Sequence, residues 1–345
     1  MIRLATVLAT AALASAALLP HSSLAQDGPY KVLATTKVGG EGGMDYVTAD
    51  SEGRRLYVAR SGPAGHIGVF DLDTLKQVGD IPKVSAHGAT VDTRYGHGVA
   101  AAKPVVFFDS KTLAVIKTLD VQGNPDGYLT DPTDDRIYIL SHAAPNVTVI
   151  DARDGTILGT IDLGGAPEQA VSDGKGHLYI DIEDKDAIAV VDAKAMKMTG
   201  KFDVSSKGGG CAGLAMDVKN EILFATCRDK KNMIVVSATD GKILADLPTG
   251  SGSDGAVFNP KTMEVFSSQG DGTLTIVKEN SPTSFVVEQT VKTPVRAKTI
   301  TLDAKTGKLY LITAEYAPAP PVAAGERPAR PTMIPDSFMI VTVGK

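Results

Sequence analysis

AGLAMDVKNEILFATC, residues 212–227, reads as a short apolar run, an aspartate at 217, a polar turn and a second apolar run that ends in cysteine. The same phrase recurs along the chain. It returns as DYVTADSEGRRLYVAR (45–60), DGYLTDPTDDRIYILS (126–141), EQAVSDGKGHLYIDI (168–182), DGAVFNPKTMEVFSSQ (254–269) and AKTITLDAKTGKLYLIT (297–313), with a degraded copy in HGATVDTRYGHGVAAA (87–102). Aligned on Asp50, Asp92, Asp131, Asp173, Asp217, Asn259 and Asp303, the copies lie 42, 39, 42, 44, 42 and 44 residues apart. A period of that length holds about four strands per unit.

Each phrase is followed by a third β-branched run, such as HIGVFD, NVTVID or AIAVVD, and then a fourth, such as TILGTIDLG or KILADLPTG. No segment keeps a helical period, and the glycines gather at the turns. Seven four-stranded units describe an all-β fold, a seven-bladed β-propeller. The last unit stops after its third strand, SFMIVTV, whereas residues 31–39 (KVLATTKVG) form an orphan strand near the start. Laid on the last blade, that N-terminal strand completes it and leaves no open edge. Residues 26–345 are therefore expected to be one domain.

Arg3 precedes an apolar run that ends at Ser23-Leu24-Ala25, the pattern of a signal peptide (residues 1–25) cleaved after Ala25. A membrane anchor is the alternative, but the run is short for a span. The mature chain is expected to be periplasmic or secreted, with no membrane span. It keeps 34 Lys+Arg against 40 Asp+Glu, a formal charge of −6, which argues against nucleic acid as a partner. The absence of Trp and the scarcity of aromatics weaken any sugar-stacking or single-stranded nucleic-acid platform.

The stretches HGATVD, PDGYLTD, CAGLAMD, LFATC and SSQGDGTLTIVKENSPTSF resemble those of the bacterial YVTN-repeat propellers, the YncE-like group, and the likeness covers nearly all of residues 30–345. It implies an exported seven-bladed propeller and no particular chemistry. Rings of this fold serve as a metal-dependent antibiotic lyase, as lactonases and as a subunit of quinoprotein amine dehydrogenases, and fold alone does not choose among them.

Outside the cytoplasm a disulfide is the default state of two cysteines. Cys211 and Cys227 are the only pair. If residues 217–221 form the hairpin turn, pairing runs from 216 opposite 222 to Cys211 opposite Cys227, within disulfide reach. Packed free thiols and metal ligation are the alternatives; no C-x-x-C is present.

In a propeller the first strand of each blade lines the channel, so the residues five before each anchor form a ring at one end. They are Asp45, His87, Asp126, Glu168, Ala212, Asp254 and Lys298, with Arg296, Arg60 and Arg228 as neighbours. Gly88, Gly127, Gly213 and Gly255 come next, where glycine signals close approach of a ligand or of other backbone. Converging carboxylates repel unless a cation offsets them. Asp45, His87, Asp126, Glu168 and Asp254 offer oxygen ligands and one imidazole, a set suited to a divalent metal such as Ca²⁺, Mg²⁺ or Mn²⁺. With Lys298 and Arg296 they also form a candidate polar ligand site. The same acids read equally as turn caps or as ion pairs with Lys298 and the arginines, and a catalytic role stays open.

GSGSDG (250–255) matches a dinucleotide fingerprint but joins two strands and opens no helix. His142 follows a second strand and either faces the mouth or sits in a surface loop. The proline-rich residues 315–337 interrupt the last blade at the same end, as a solvated loop or a lid. The chain is expected to be a monomer that binds a small-molecule or metal ligand at its pore mouth. Two alternatives are a metal-dependent lyase or hydrolase, lactonase-like, using the same ring, and an interaction scaffold for an exported protein partner.

Overall fold

A computed structural model describes residues 28–131, 133–318 and 331–345. The expected signal peptide and the middle of the proline-rich stretch lie outside the described residues. Seven four-stranded antiparallel sheets form the ring. Blade one, for example, runs Gly43–Asp50, Arg55–Ser61, His66–Asp71 and Gln77–Pro82 from the channel outward. The only helical element among the described residues is a 3-10 turn, Glu183–Lys185, and no helix is long and apolar enough to cross a membrane.

All seven anchors do the same job. The Oδ1 atom of each accepts the backbone N–H two residues on: Glu52 for Asp50, Arg94 for Asp92, Thr133 for Asp131, Lys175 for Asp173, Lys219 for Asp217, Lys261 for Asn259 and Lys305 for Asp303, at 2.7–3.1 Å. This Asx turn nucleates the inner hairpin. In six of the seven units the fourth residue after the anchor is left-handed, at glycine in Gly96 (φ 70°) and Gly307 (φ 74°), where no Cβ opposes it; after Asp173 the left-handed residues are Gly174 and Gly176.

Apolar side chains from adjacent blades interlock into seven clusters, one at each junction. Buried tyrosines lean from one blade to the next: Tyr310 donates to the Leu72 carbonyl (2.8 Å), Tyr57 to Ser110 (3.3 Å) and Tyr179 to Ala238 (3.2 Å). A blade exposes both apolar faces without its neighbours, so the ring is stable only when closed. The expected closure is present. Lys31–Lys37 pairs antiparallel with Met339–Gly344 as the fourth strand of blade seven. Tyr30 locks the junction: its hydroxyl donates to Glu264, which also meets Lys345, and its backbone exchanges two hydrogen bonds with Gln289.

Cys211 and Cys227 are disulfide-bonded and directly opposed. The route to that pairing differs from the expected one. Asp217 pairs with Ile222, one residue out of the predicted register, and a bulge at Ala212 restores Cys211 to Cys227. Asn146 is buried, and its side-chain oxygen accepts the Leu163 N–H at 3.0 Å.

Opposite the disulfide end, between blades five and six, the anchor Asp217 lies buried near Glu279. Glu279 Oε2 and Asp217 Oδ2 have no hydrogen-bond partner, while Asn220 donates to Glu279 Oε1 at 2.7 Å. Burial first, and the Asp217 charge second, push the Glu279 pKa up to about 7 against the Asn220 bond.

Two predictions follow from these junctions. Replacing both cysteines by serine should lower the unfolding free energy by about 3 kcal/mol, the loop-closure effect for residues 16 apart. Urea unfolding of oxidised wild type against the double variant measures it, and equal midpoints would refute a structural role. Because Glu279 binds its proton more tightly in the folded chain than in the unfolded one, the stability that proton confers is full below about pH 4.5 and is lost as pH rises through about 7. Glu279→Gln should therefore remove a stability loss between those pH values, as read by melting temperature across the range.

Candidate functional site

At the channel mouth each inner strand of blades one to six carries one extra residue. The ladder shifts register between Met44 and Val47, Ala86 and Ala89, Pro125 and Tyr128, Pro167 and Ala170, Cys211 and Gly213, and Ser253 and Gly255. Asp45, His87, Asp126, Glu168, Ala212 and Asp254 all lie within these bulges. A bulge bends the strand and re-aims its side chain, here toward the mouth. Lys298 precedes the short inner strand of blade seven, Ile300–Leu302.

The ring divides into two halves. On one side, His87 Nδ1 lies 2.9 Å from Asp45 Oδ2 and 3.0 Å from Asp126 Oδ1. The other oxygen of Asp126 is 3.5 Å from His142 Nε2, which is 3.7 Å from Glu168 Oε1. Asp126 thus joins two triads of metal-ligand type, Asp45–His87–Asp126 and Asp126–His142–Glu168. On the other side, Asp254 accepts from Arg228 on one oxygen and from Lys298 on the other. Arg228 also reaches Glu183 at 2.6 Å and Glu168 at 3.6 Å. It follows Cys227 directly, so the disulfide fixes the strand end from which it extends.

Electrostatics follow this division. Hydrogen bonds to Asp126 and then Asp45 raise the His87 pKa to about 10, against its burial. Burial pushes Glu168 up to about 9; Arg228 opposes the shift, and Glu183, Asp254 and Asp126 add to it. Burial works against the charge on Lys298, yet Asp254 and Asp45 hold its pKa above the ordinary lysine value. Asp181, opposite the blade-four bulge, is fully buried without a hydrogen-bond partner, and burial pushes it far up.

The glycines beside the ring are there for neighbouring protein atoms. A Cβ on Gly88 would stand 2.1 Å from the Tyr128 ring, and one on Gly213 would stand 2.8 Å from the Gly255 carbonyl carbon. Below the ring, Tyr46 and Tyr128 meet edge to face, with centroids 5.6 Å apart. Gln169 crosses from blade four, accepting from Leu214 N (3.0 Å) and Ala256 N (3.1 Å) and donating to Ala256 O (3.1 Å). The ring is thus backed by side chains that tie inner strands of different blades together. Beside it lies a cleft of about 540 Å³ lined by Asp45, His87, Lys298, Arg296, Tyr316 and Met333, among others. Tyr316 and Met333, on the two stems of the proline-rich loop, form an isolated bridge, and the Arg296 guanidinium stacks 4.6 Å from the Tyr316 ring.

The structure thus gathers Asp45, His87, Asp126 and Glu168 on one side. Asp254 is held by cations on the other, and Arg296 with Lys298 lines the cleft. His142 joins the acidic side, and Arg228 ties Asp254 to Glu168. Glu183 and Asp181 carry no signal in the repeat register of the first strands, because they belong to the second strand of blade four and the turn after it.

No family model matches the chain, and no curated protein does. In all, 1703 chains of solved structures match it, so the fold is widespread and does not single out a role. One, from a structure described as "Crystal Structure of Mitotic Checkpoint Complex", superimposes with a TM-score of 0.70 at 12% identity, over 89% of this chain and 95% of that one. At that identity the likeness is one of fold alone.

Arg228→Met should leave Asp254, Glu183 and Glu168 short of positive charge and cost about 2–3 kcal/mol, less than the loss for a fully buried pair because the guanidinium is one-third exposed. Denaturant titration measures it. A loss under about 0.5 kcal/mol would mean that solvent already screens these carboxylates.

Proposed function

We propose that the chain is an exported, YncE-like propeller whose mouth binds a divalent cation, and that the cation presents a small-molecule ligand in the adjoining cleft. One observation carries this reading. Three carboxylates, Asp45, Asp126 and Glu168, face two imidazoles, and Arg228 at 3.6 Å from Glu168 is the sole fixed cation paired with them among the described residues. Asp126 and Asp45 hold a proton on His87, and a metal ion bound at the same atoms displaces it. Asp254, already bonded to two cations, contributes to the opposite wall rather than to the ligand set.

Two imidazoles among three carboxylates move the preference from Ca²⁺ toward Mn²⁺ and its first-row neighbours. Asp126 has one oxygen toward each triad, so it is the ligand that would be shared if both triads fill. The cation would supply positive charge at the acidic wall; Lys298 and Arg296 supply it at the cleft. A disulfide at the mouth and a signal-peptide pattern at residues 1–25 support an address outside the cytoplasm.

Titration calorimetry with Mn²⁺, Mg²⁺, Ca²⁺ and Zn²⁺ on chelator-treated protein should give heat with Mn²⁺ and a melting temperature that rises with its concentration. The combined substitution His87→Ala and Glu168→Gln should abolish both. No heat and no thermal shift with any of the four ions would refute the metal, leaving the cleft as a metal-free polar site.

A further inference from the structure

Arg60 is the last residue but one of the second strand of blade one and is 2% exposed. Its guanidinium stacks 3.7 Å from the Phe338 ring. Nη2 donates to the carbonyls of Gly40 (3.3 Å) and Gly42 (3.2 Å), whereas Nε is buried with no partner. No carboxylate pairs with it among the described residues. Burial lowers its pKa to about 10, which leaves it charged at neutral pH. Arg228 and Lys298 at the mouth each hold a carboxylate; Arg60 holds none. A buried charge without a counter-charge is unfavourable unless something else neutralises it.

Beside Arg60 lies a cavity of about 160 Å³, separate from the mouth cleft, lined by Val38, Val58, Phe70 and Phe338 and by the polar groups of His66 and Gln77. The carboxylate nearest His66, Asp80 at 3.8 Å from Nε2, is not in the lining. We propose that this cavity binds a small organic carboxylate, its anionic end on the Arg60 guanidinium and a short apolar tail against Val38, Val58 and Phe338. One cation calls for one negative charge, and the Val38, Val58, Phe70 and Phe338 side chains offer a short hydrocarbon tail apolar contacts that the oxygens of a phosphate would not use. The cavity wall draws on blade one, on Phe338 of blade seven and on residues 38–40, which run from the closing strand to the first. The bound carboxylate therefore spans the place where the ring closes.

The test is a melting-temperature and calorimetric series with acetate, propionate and butyrate at fixed ionic strength, against chloride, phosphate and sulfate. Butyrate should raise the melting temperature by about 2–4 °C at ten times its Kd, with propionate and acetate progressively weaker. Arg60→Met should lose this response while keeping the Mn²⁺ response of wild type, if the mouth binds Mn²⁺, and in any case the wild-type circular dichroism. If that variant does not fold, wild-type crystals soaked in 3-bromopropionate should show a bromine anomalous peak in the Arg60 cavity. A response equal to chloride, a response retained in Arg60→Met, a larger shift with phosphate or sulfate than with butyrate, or a bromine map empty at Arg60 would each overturn the proposal.

Discussion

The mouth depends on a contact made at the other end of the blade. When an anchor side chain accepts the N–H two residues on, it fixes where the inner hairpin turns and thus the register of its two strands. A slip of one residue would exchange the faces of the strand. With the turn fixed, the chain reaches the mouth after the same distance in every unit and has one residue too many for its partner. That residue becomes the bulge, and six bulges at one level deliver Asp45, His87, Asp126, Glu168, Ala212 and Asp254 to a common rim.

Such convergence concentrates charge, and the protein resolves it unevenly. Arg228 and Lys298 neutralise Asp254 with side chains that are permanent cations. The Asp45, Asp126 and Glu168 side has His87, which holds its proton against two of those carboxylates and can give it up. The asymmetry gives one rim two chemistries. One wall is ion-paired and fixed, and the other exchanges its compensating charge with its surroundings.

Much of this architecture was legible in the sequence, because a period near 42 residues and an orphan N-terminal strand leave few other folds. The cysteine pairing was legible too, although by a register one residue off. The bulge that corrects it has no residue signature: Asp, His, Glu and Ala all occupy it. Level along the channel was therefore readable, whereas the division of the rim was not. That division depends on Arg228 and His142, which extend from the ends of second strands into a space the repeat does not describe. Arg60 shows the same limit. Its place beside the ring in sequence suggested a mouth residue, yet its side chain turns away to stack on Phe338, a partner from the far end of the chain.

Closure has a temporal side. Lys31 lies opposite Gly344, and Lys345 reaches Glu264 beside Tyr30, so the first strand of the ring must find the last. Blades one to six are each built from one contiguous stretch of chain, but the seventh needs both Lys31–Lys37 and Met339–Gly344. Contacts this distant in sequence form slowly. Until they form, the chain is an open arc with unpaired strands at both ends, vulnerable to pairing with another copy. Ring completion is thus the step at which this protein's folding becomes a race against its own concentration.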